Sequence, residues 1–197
     1  MSAAYKPVGW NANKIFYDSV LGVAVILYLL AFTWAAARPV GVQPYDDATV
    51  WMRAYGSCAL LMLSFVLCIG PLARLDPRFL PLLYNRRHFG VATCIVALMH
   101  ARRVLGWYFS FSDADPYVAL FSSNTSIARL AGFPFEWFGA AALLVLIVLA
   151  ATSHDFWLKF LTPPIWKSFH MGLYLAYACI VAHVALGAML TRETQAL

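Results

Sequence analysis

Four histidines, His88, His100, His170 and His183, stand in stretches that are otherwise almost wholly apolar, and two of them share the run from Ile165 to Leu190. A neutral imidazole carries one donor and one acceptor nitrogen. In hydrocarbon each must find a partner, because an unsatisfied polar group there is costly. Three kinds of chemistry meet that demand: a hydrogen-bonded packing role, membership of a proton relay, or ligation of a metal by a ring nitrogen. A fifth histidine, His154, lies beside Asp155 in a polar segment and reads as a solvated loop residue. Arg86 and Arg87 precede His88, and Arg102 and Arg103 follow His100. Their guanidinium groups either snorkel to the membrane surface or grip carboxylates in a bidentate fork.

Composition sets the elements that position these residues. Of 197 residues, 62% are hydrophobic and 12% charged, with a mean hydropathy of +0.72. A soluble domain is about half apolar and about a quarter charged. The chain therefore reads as an all-α, polytopic membrane bundle forming one domain over residues 1–197. Its length has room for five or six spans of about 20 residues. The formal charge of +5 comes with no basic run interleaved with exposed aromatics, so nucleic acid is set aside and the excess is assigned to membrane orientation. Cys58, Cys68, Cys94 and Cys179 stand singly in apolar segments, with no CxxC or CxxCH arrangement. That removes covalent c-type haem, iron–sulfur ligation and a zinc ribbon, and leaves buried structural thiols.

Five spans follow, at about 15–37, 51–69, 86–109, 135–151 and 165–190. The first ends in Ala35, Ala36 and Ala37 and imitates a signal peptide, but its length fits a transmembrane helix. Gly70 and Pro71 are expected to stop the second span, a loop from Leu72 to Tyr84 follows, and Arg86 and Arg87 open the third. The longest connector, Ser110 to Pro134, carries Asp113, Asp115, Pro116 and the aromatics Phe111, Tyr117, Phe121 and Phe133. It suits an interfacial belt and a docking surface. The fourth span packs through small residues such as Gly139 and Ala140. No internal repeat is visible.

The N-terminus and the second and fourth loops hold Lys6, Lys14, Arg74, Arg78, Arg86, Arg87, Lys159 and Lys167 against Asp18, Asp76 and Asp155. The opposite side balances Arg38, Arg53, Arg102, Arg103, Arg129 and Arg192 with six acidic residues. The first side is expected to be cytoplasmic, with the N-terminus, leaving the aromatic connector and the C-terminus outside.

The third and fifth spans then both run from inside to outside. His100 lies roughly 20 Å and His183 roughly 27 Å from the inner ends, while His88 and His170 lie within about 3–9 Å of them. Depth pairs His100 with His183 and His88 with His170. Neutral imidazoles facing each other at one depth in an apolar pocket are what bis-imidazole ligation of haem iron requires. Ala97, Ala101, Gly172, Ala176, Ala182 and Gly187 are small enough to admit a flat macrocycle. Angles add a condition. The two histidines of the third span fall about 120° apart on an ideal helix and those of the fifth about 140° apart, so the spans bend or two haems are rotated relative to each other. Arg87 and Arg103 are candidates to hold haem propionates.

The segment Gly70-Pro71-Leu72-Ala73-Arg74, then Arg86-Arg87-His88-Phe89-Gly90 with His100 ten residues after the glycine, resembles the ferric-reductase-like transmembrane family. The likeness is strongest to the branch of haem-binding membrane subunits that serve bacterial periplasmic methionine sulfoxide reductases. Ala151-Thr152-Ser153, Trp166, Phe169-His170, Tyr174 and His183 continue the pattern, which covers about residues 51–187. The resemblance implies haem b, one or two per chain, with His100, His170 and His183 as iron ligands, and electron transfer across a bacterial inner membrane. In the wider family a fourth histidine stands fourteen positions before the one matching His100. Arg86 occupies that position here, and His88 is the candidate substitute. The family's sixth span is missing, which favours a subunit packed against another membrane protein. No glycine-rich nucleotide fingerprint points to an attached flavin domain.

The resulting expectation is a transmembrane b-type cytochrome subunit of an oxidoreductase complex rather than a complete enzyme. It would take electrons from quinol or a flavoprotein, with quinone as a candidate second cofactor, and pass them to a redox partner at the extracytoplasmic face. A haem-free membrane anchor or assembly subunit is the alternative. A proton-coupled transporter is disfavoured because no intramembrane carboxylate accompanies the histidines, Asp18 and Glu136 lying near span ends.

Overall fold

The computed structural model describes residues 11–37, 46–111, 113–127 and 132–196, and every regular element among them is helical. Lys6, Arg38 and Arg129, which entered the reading of topology, lie outside the described residues. The elements are α1 (Ala12–Ala36), α2 (Asp47–Leu75), a 3₁₀ turn (Pro77–Phe79), α3 (Leu80–Phe111), α4 (Pro116–Ser122), α5 (Glu136–Ala151), α6 (Asp155–Leu161), α7 (Pro163–His170) and α8 (Gly172–Ala196). Four segments are long and apolar enough to cross a membrane: α1, α2, Pro77–Ser110 and Pro163–Leu190. The 16 residues of α5 cover only about 24 Å of the roughly 30 Å hydrocarbon core. Taken with the sharply bent α6, they make a fifth candidate span.

The expected helix ends move in three places. Pro71 does not stop α2, which continues to Leu75. A proline clashes with the Cβ of the residue before it, and Gly70 has none, so the helix loses one hydrogen bond and carries on. The stop comes at Asp76, held extended at φ −144°, ψ 125° as the residue before Pro77. Its carboxylate then accepts the Arg78 N–H at 2.8 Å. The expected loop from Leu72 to Tyr84 is therefore mostly helical. Because α3 starts at Leu80, Arg86 and Arg87 sit about two turns inside it rather than at its entrance. In the last span, the N–H of Met171 is shared between Lys167 O at 3.2 Å and Ser168 O at 3.1 Å, and Tyr174 N–H reaches back only to Met171 O at 3.1 Å. This 3₁₀-like tightening separates α7 from α8, and such mid-helix stretches break the regular 100° register.

The helices pair as two hairpins, α2 with α3 and α5 with α8, and α1 lies along α2. Large apolar residues of α1, among them Phe16, Val23, Leu27 and Trp34, point outward, as a lipid-facing helix requires. One core cluster joins α1, α2 and α3 through Leu29, Ala54, Met62 and Phe89. A second takes one residue from each hairpin helix, Leu63, Cys94, Leu146 and Ala176, and ties the hairpins together. Cys58 and Cys94 are buried, Cys179 is partly so and Cys68 is exposed, so burial of all four thiols does not hold. None forms a disulfide.

Candidate functional site

The α3 and α8 helices bring His100 and His183 together, with ring centroids 6.4 Å apart and planes crossed at 79°. Each ring is anchored from behind. His100 Nδ1 lies 2.9 Å from the carbonyl oxygen of Met52 on α2, and His183 Nδ1 lies 3.0 Å from that of Phe135 at the start of α5. A carbonyl can only accept, so Nδ1 carries the hydrogen in both rings and the lone pair resides on Nε2. Two metal–nitrogen bonds of about 2.0 Å, each extended by about 1.1 Å to its ring centre, would set collinear imidazole centroids about 6.2 Å apart. The observed separation can therefore accommodate one metal ion shared between the two rings.

Both rings press on a glycine. A Cβ added to Gly56 would lie 3.0 Å from His100 Nδ1 and Cε1, and one on Gly139 would lie 2.8 Å from His183 Nδ1. The two arrangements copy one another. Phe135, Gly139 and His183 follow Met52, Gly56 and His100 by 83 positions each. The same offset aligns Gly56-Ser-Cys-Ala-Leu-Leu-Met-Leu63 with Gly139-Ala-Ala-Ala-Leu-Leu-Val-Leu146, identical at five of eight positions. Ala59 and Ala142 are both buried, as are Leu63 and Leu146. A short internal repeat is thus present where the sequence reading finds none.

The other two histidines, near the start of α3 and at the end of α7, have separate hydrogen-bond partners. His88 Nδ1 faces Asp18 on α1 at 2.9 Å. Asp18, which the sequence reading placed near a span end, therefore accompanies one of the four histidines. His170 Nδ1 points to Trp166 O at 3.0 Å, and the two rings stack with centroids 3.7 Å apart. His170 Nε2 is shielded from solvent with no hydrogen-bond partner. Arg87, next to His88 but turned toward α7, lies 4.9 Å from the Trp166 ring centre and pairs with Asp155 at 2.7 Å. The buried Trp166 donates its indole N–H to Thr152 O at 2.8 Å. His154 is exposed, as expected of a loop residue, and caps α6 by accepting the Phe156 N–H.

Beyond His100 on α3, Arg103 lies 5.8 Å from the Trp51 ring centre and 6.0 Å from that of Tyr55. With Arg102, Gly106, Trp107, Ser110 and Ala48 it lines a cavity of about 380 Å³. The connector folds back over this end of α3. Tyr108 donates to Ser123 Oγ at 3.0 Å, and Ser123 and Asn124 donate to the buried Glu136 carboxylate.

Sequence reasoning named the histidines, and also Gly139, Asp18 and Trp166 without their supporting roles, but missed the Met52 and Phe135 carbonyls and Gly56. The equal spacings, glycine to histidine and hairpin to hairpin, were the available signal.

Comparison with known proteins agrees with this architecture. No solved structure matches the chain. The protein-methionine-sulfoxide reductase heme-binding subunit MsrQ of Azospira oryzae is 30% identical over 145 residues, which are 73% of this chain and 56% of that protein. The chain thus spans a little over half the length of this relative. The family described as ferric reductase like transmembrane component matches residues 55–181, which include Gly56, His100, Gly139 and His170 and end two residues before His183. This chain belongs to the ferric-reductase-like transmembrane family.

Proposed function

We propose that this chain is a b-type cytochrome subunit in which one haem is held between His100 on α3 and His183 on α8, and electrons pass through the bundle to an extracytoplasmic redox partner. The observation that carries the reading is the pair of carbonyl-anchored rings 6.4 Å apart. Among the described residues no three His, Cys, Asp or Glu side chains cluster as a protein-only metal site. Two axial imidazoles, in contrast, are all that a porphyrin iron asks of a protein. When bound, the haem supplies one-electron chemistry, while the chain supplies ligation, depth and surrounding charge.

The residues divide that work. The Met52 and Phe135 carbonyls fix the ring tautomers and increase the basicity of Nε2. Arg103, three residues after His100, offers a guanidinium to haem propionates at the outer end. Arg87 is the corresponding cation at the inner end, where Asp155 already steadies it. His170, with a free lone pair and an unpartnered Nε2, is the protein ligand of a second, inner haem. His88 faces Asp18 and is not its partner.

The donor is quinol or a flavoprotein, and the acceptor is a methionine sulfoxide reductase of the kind named for the relative. The N-terminus faces the cytoplasm of a bacterial inner membrane, and a further membrane subunit completes the assembly. Haem per chain, measured as the pyridine haemochrome, tests the ligand set. We expect two haems in the wild type, about one in His170→Ala and two in His88→Ala. One haem that is unaffected by His170→Ala would remove the inner site, and haem loss in His88→Ala would restore His88 as a ligand.

A further inference from the structure

The strongest unused feature of the molecule is the duplicated support behind the two facing histidines. We infer that Gly56 and Gly139 are positioning residues which, with the Met52 and Phe135 carbonyls, form two matching clamps that lock the His100 and His183 rings in crossed planes and thereby set the electronic state of whatever metal the rings share. The inference rests on the haem reading above and adds residues and a property to it.

The geometry of each clamp follows from one helical turn. On α2, Met52 and Gly56 are four apart and lie one above the other; on α5, Phe135 and Gly139 do the same. The upstream residue offers its carbonyl to Nδ1–H, and the downstream residue must lack a Cβ for the ring to lie close enough to reach it. With Cβ contacts of 3.0 Å and 2.8 Å, a side chain at Gly139 would force the ring to shift and one at Gly56 would press it by a few tenths of an ångström. The Phe135 carbonyl also accepts the Phe138 N–H at 3.1 Å and lies 3.4 Å from the Gly139 nitrogen, so His183 shares it with the first turn of α5. Gly187, one turn beyond His183, lets the Phe135 ring pack closely, and that ring lies 5.2 Å from His183.

The two clamps belong to separate hairpins, so each imidazole plane is fixed independently. The result is the 79° crossing rather than parallel rings. Crossed axial imidazoles leave two iron d-orbitals nearly equal in energy, which makes the low-spin ferric signal strongly anisotropic. Parallel rings split those orbitals and give a more ordinary rhombic signal. The same orbitals hold the transferred electron, so ring orientation also bears on the midpoint potential.

The experiment uses the purified full chain loaded with haem, with electron paramagnetic resonance and potentiometric titration as readouts. The wild type should show a strongly anisotropic low-spin signal. Gly139→Ala should shift that signal, or convert part of it to high spin, and move the midpoint potential. Gly56→Ala, with the softer 3.0 Å contact, should do the same to a smaller degree, and it carries the test if Gly139→Ala does not fold. Gly90→Ala on α3, where a Cβ meets nothing within 4 Å, is the control and should match the wild type. Wild-type spectra and potentials in both Gly56→Ala and Gly139→Ala would overturn the clamps while leaving the haem reading intact. A parallel-ring signal in the wild type would overturn them too. A wild-type chain that takes up no haem would overturn the reading on which they rest.

Discussion

Replacing Trp166 by Phe tests whether the inner end of the bundle is held as described. The indole is buried, donates to Thr152 O at 2.8 Å, stacks on His170 at 3.7 Å and lies beneath the Arg87 guanidinium at 4.9 Å. Phenylalanine keeps an aromatic face against His170 and Arg87 but removes the N–H. The Thr152 carbonyl, at the C-terminal end of α5, is then left without this donor at a cost of about 1–3 kcal/mol. The smaller ring leaves unfilled space worth about 1 kcal/mol more, and the weaker cation–π contact about 0.5 kcal/mol. The expected destabilisation is about 2.5–4.5 kcal/mol, measured by reversible unfolding in mixed micelles. A double-mutant cycle with Arg87→Met should show coupling of about 0.5–1 kcal/mol, since the two side chains touch. His170 is anchored to the Trp166 backbone, so haem that depends on His170 should survive. A change below about 0.5 kcal/mol would refute the assigned role of the indole.

Three further outcomes follow. Leu63→Ala, at the junction of the hairpins and 1% exposed, should cost about 2–5 kcal/mol by the same unfolding assay. Asp18→Asn should lower stability modestly yet leave haem content at the wild-type value, because neither member of the His88–Asp18 pair is among the proposed ligands. Asp46 caps α2, and hydrogen bonds from the Thr49 side chain and N–H hold its carboxyl below the ordinary aspartate value. A depressed carboxyl stabilises the fold above its unfolded value, near about pH 4, and that contribution is lost as pH falls through the folded value. Amide exchange in the first turn of α2 should therefore accelerate in acid, and Asp46→Asn should remove the acid dependence while keeping the cap.

Much of this was legible in the chain because membranes enforce simple rules. Apolar runs of about 20 residues became spans, and depth alone paired His100 with His183, which the fold brings together. Helix ends were harder. Gly70-Pro71 carries the usual stop signal, yet the missing Cβ of Gly70 lets α2 pass, and the stop falls to Asp76 before Pro77. Depth placed His88 near His170 but gave no direction for its ring. One residue of helix separates it from Arg87 by about 100°, which turns Arg87 to α7 and leaves His88 to Asp18. The repeat stayed hidden because α3 and α8 share almost nothing at the 83-residue offset besides the two histidines. The supports are a glycine and a backbone carbonyl, which carry no side-chain signature.

The central claim, that His100 and His183 are the axial ligands of one haem, is tested most directly by the reduced-minus-oxidised spectrum of the purified chain beside that of the doubly substituted His100→Ala, His183→Ala chain. The account expects the α-band of a low-spin b-type haem in the wild type and loss of the component attributable to this pair in the double variant. An unchanged spectrum in the double variant, or no haem band in the wild type, would contradict it.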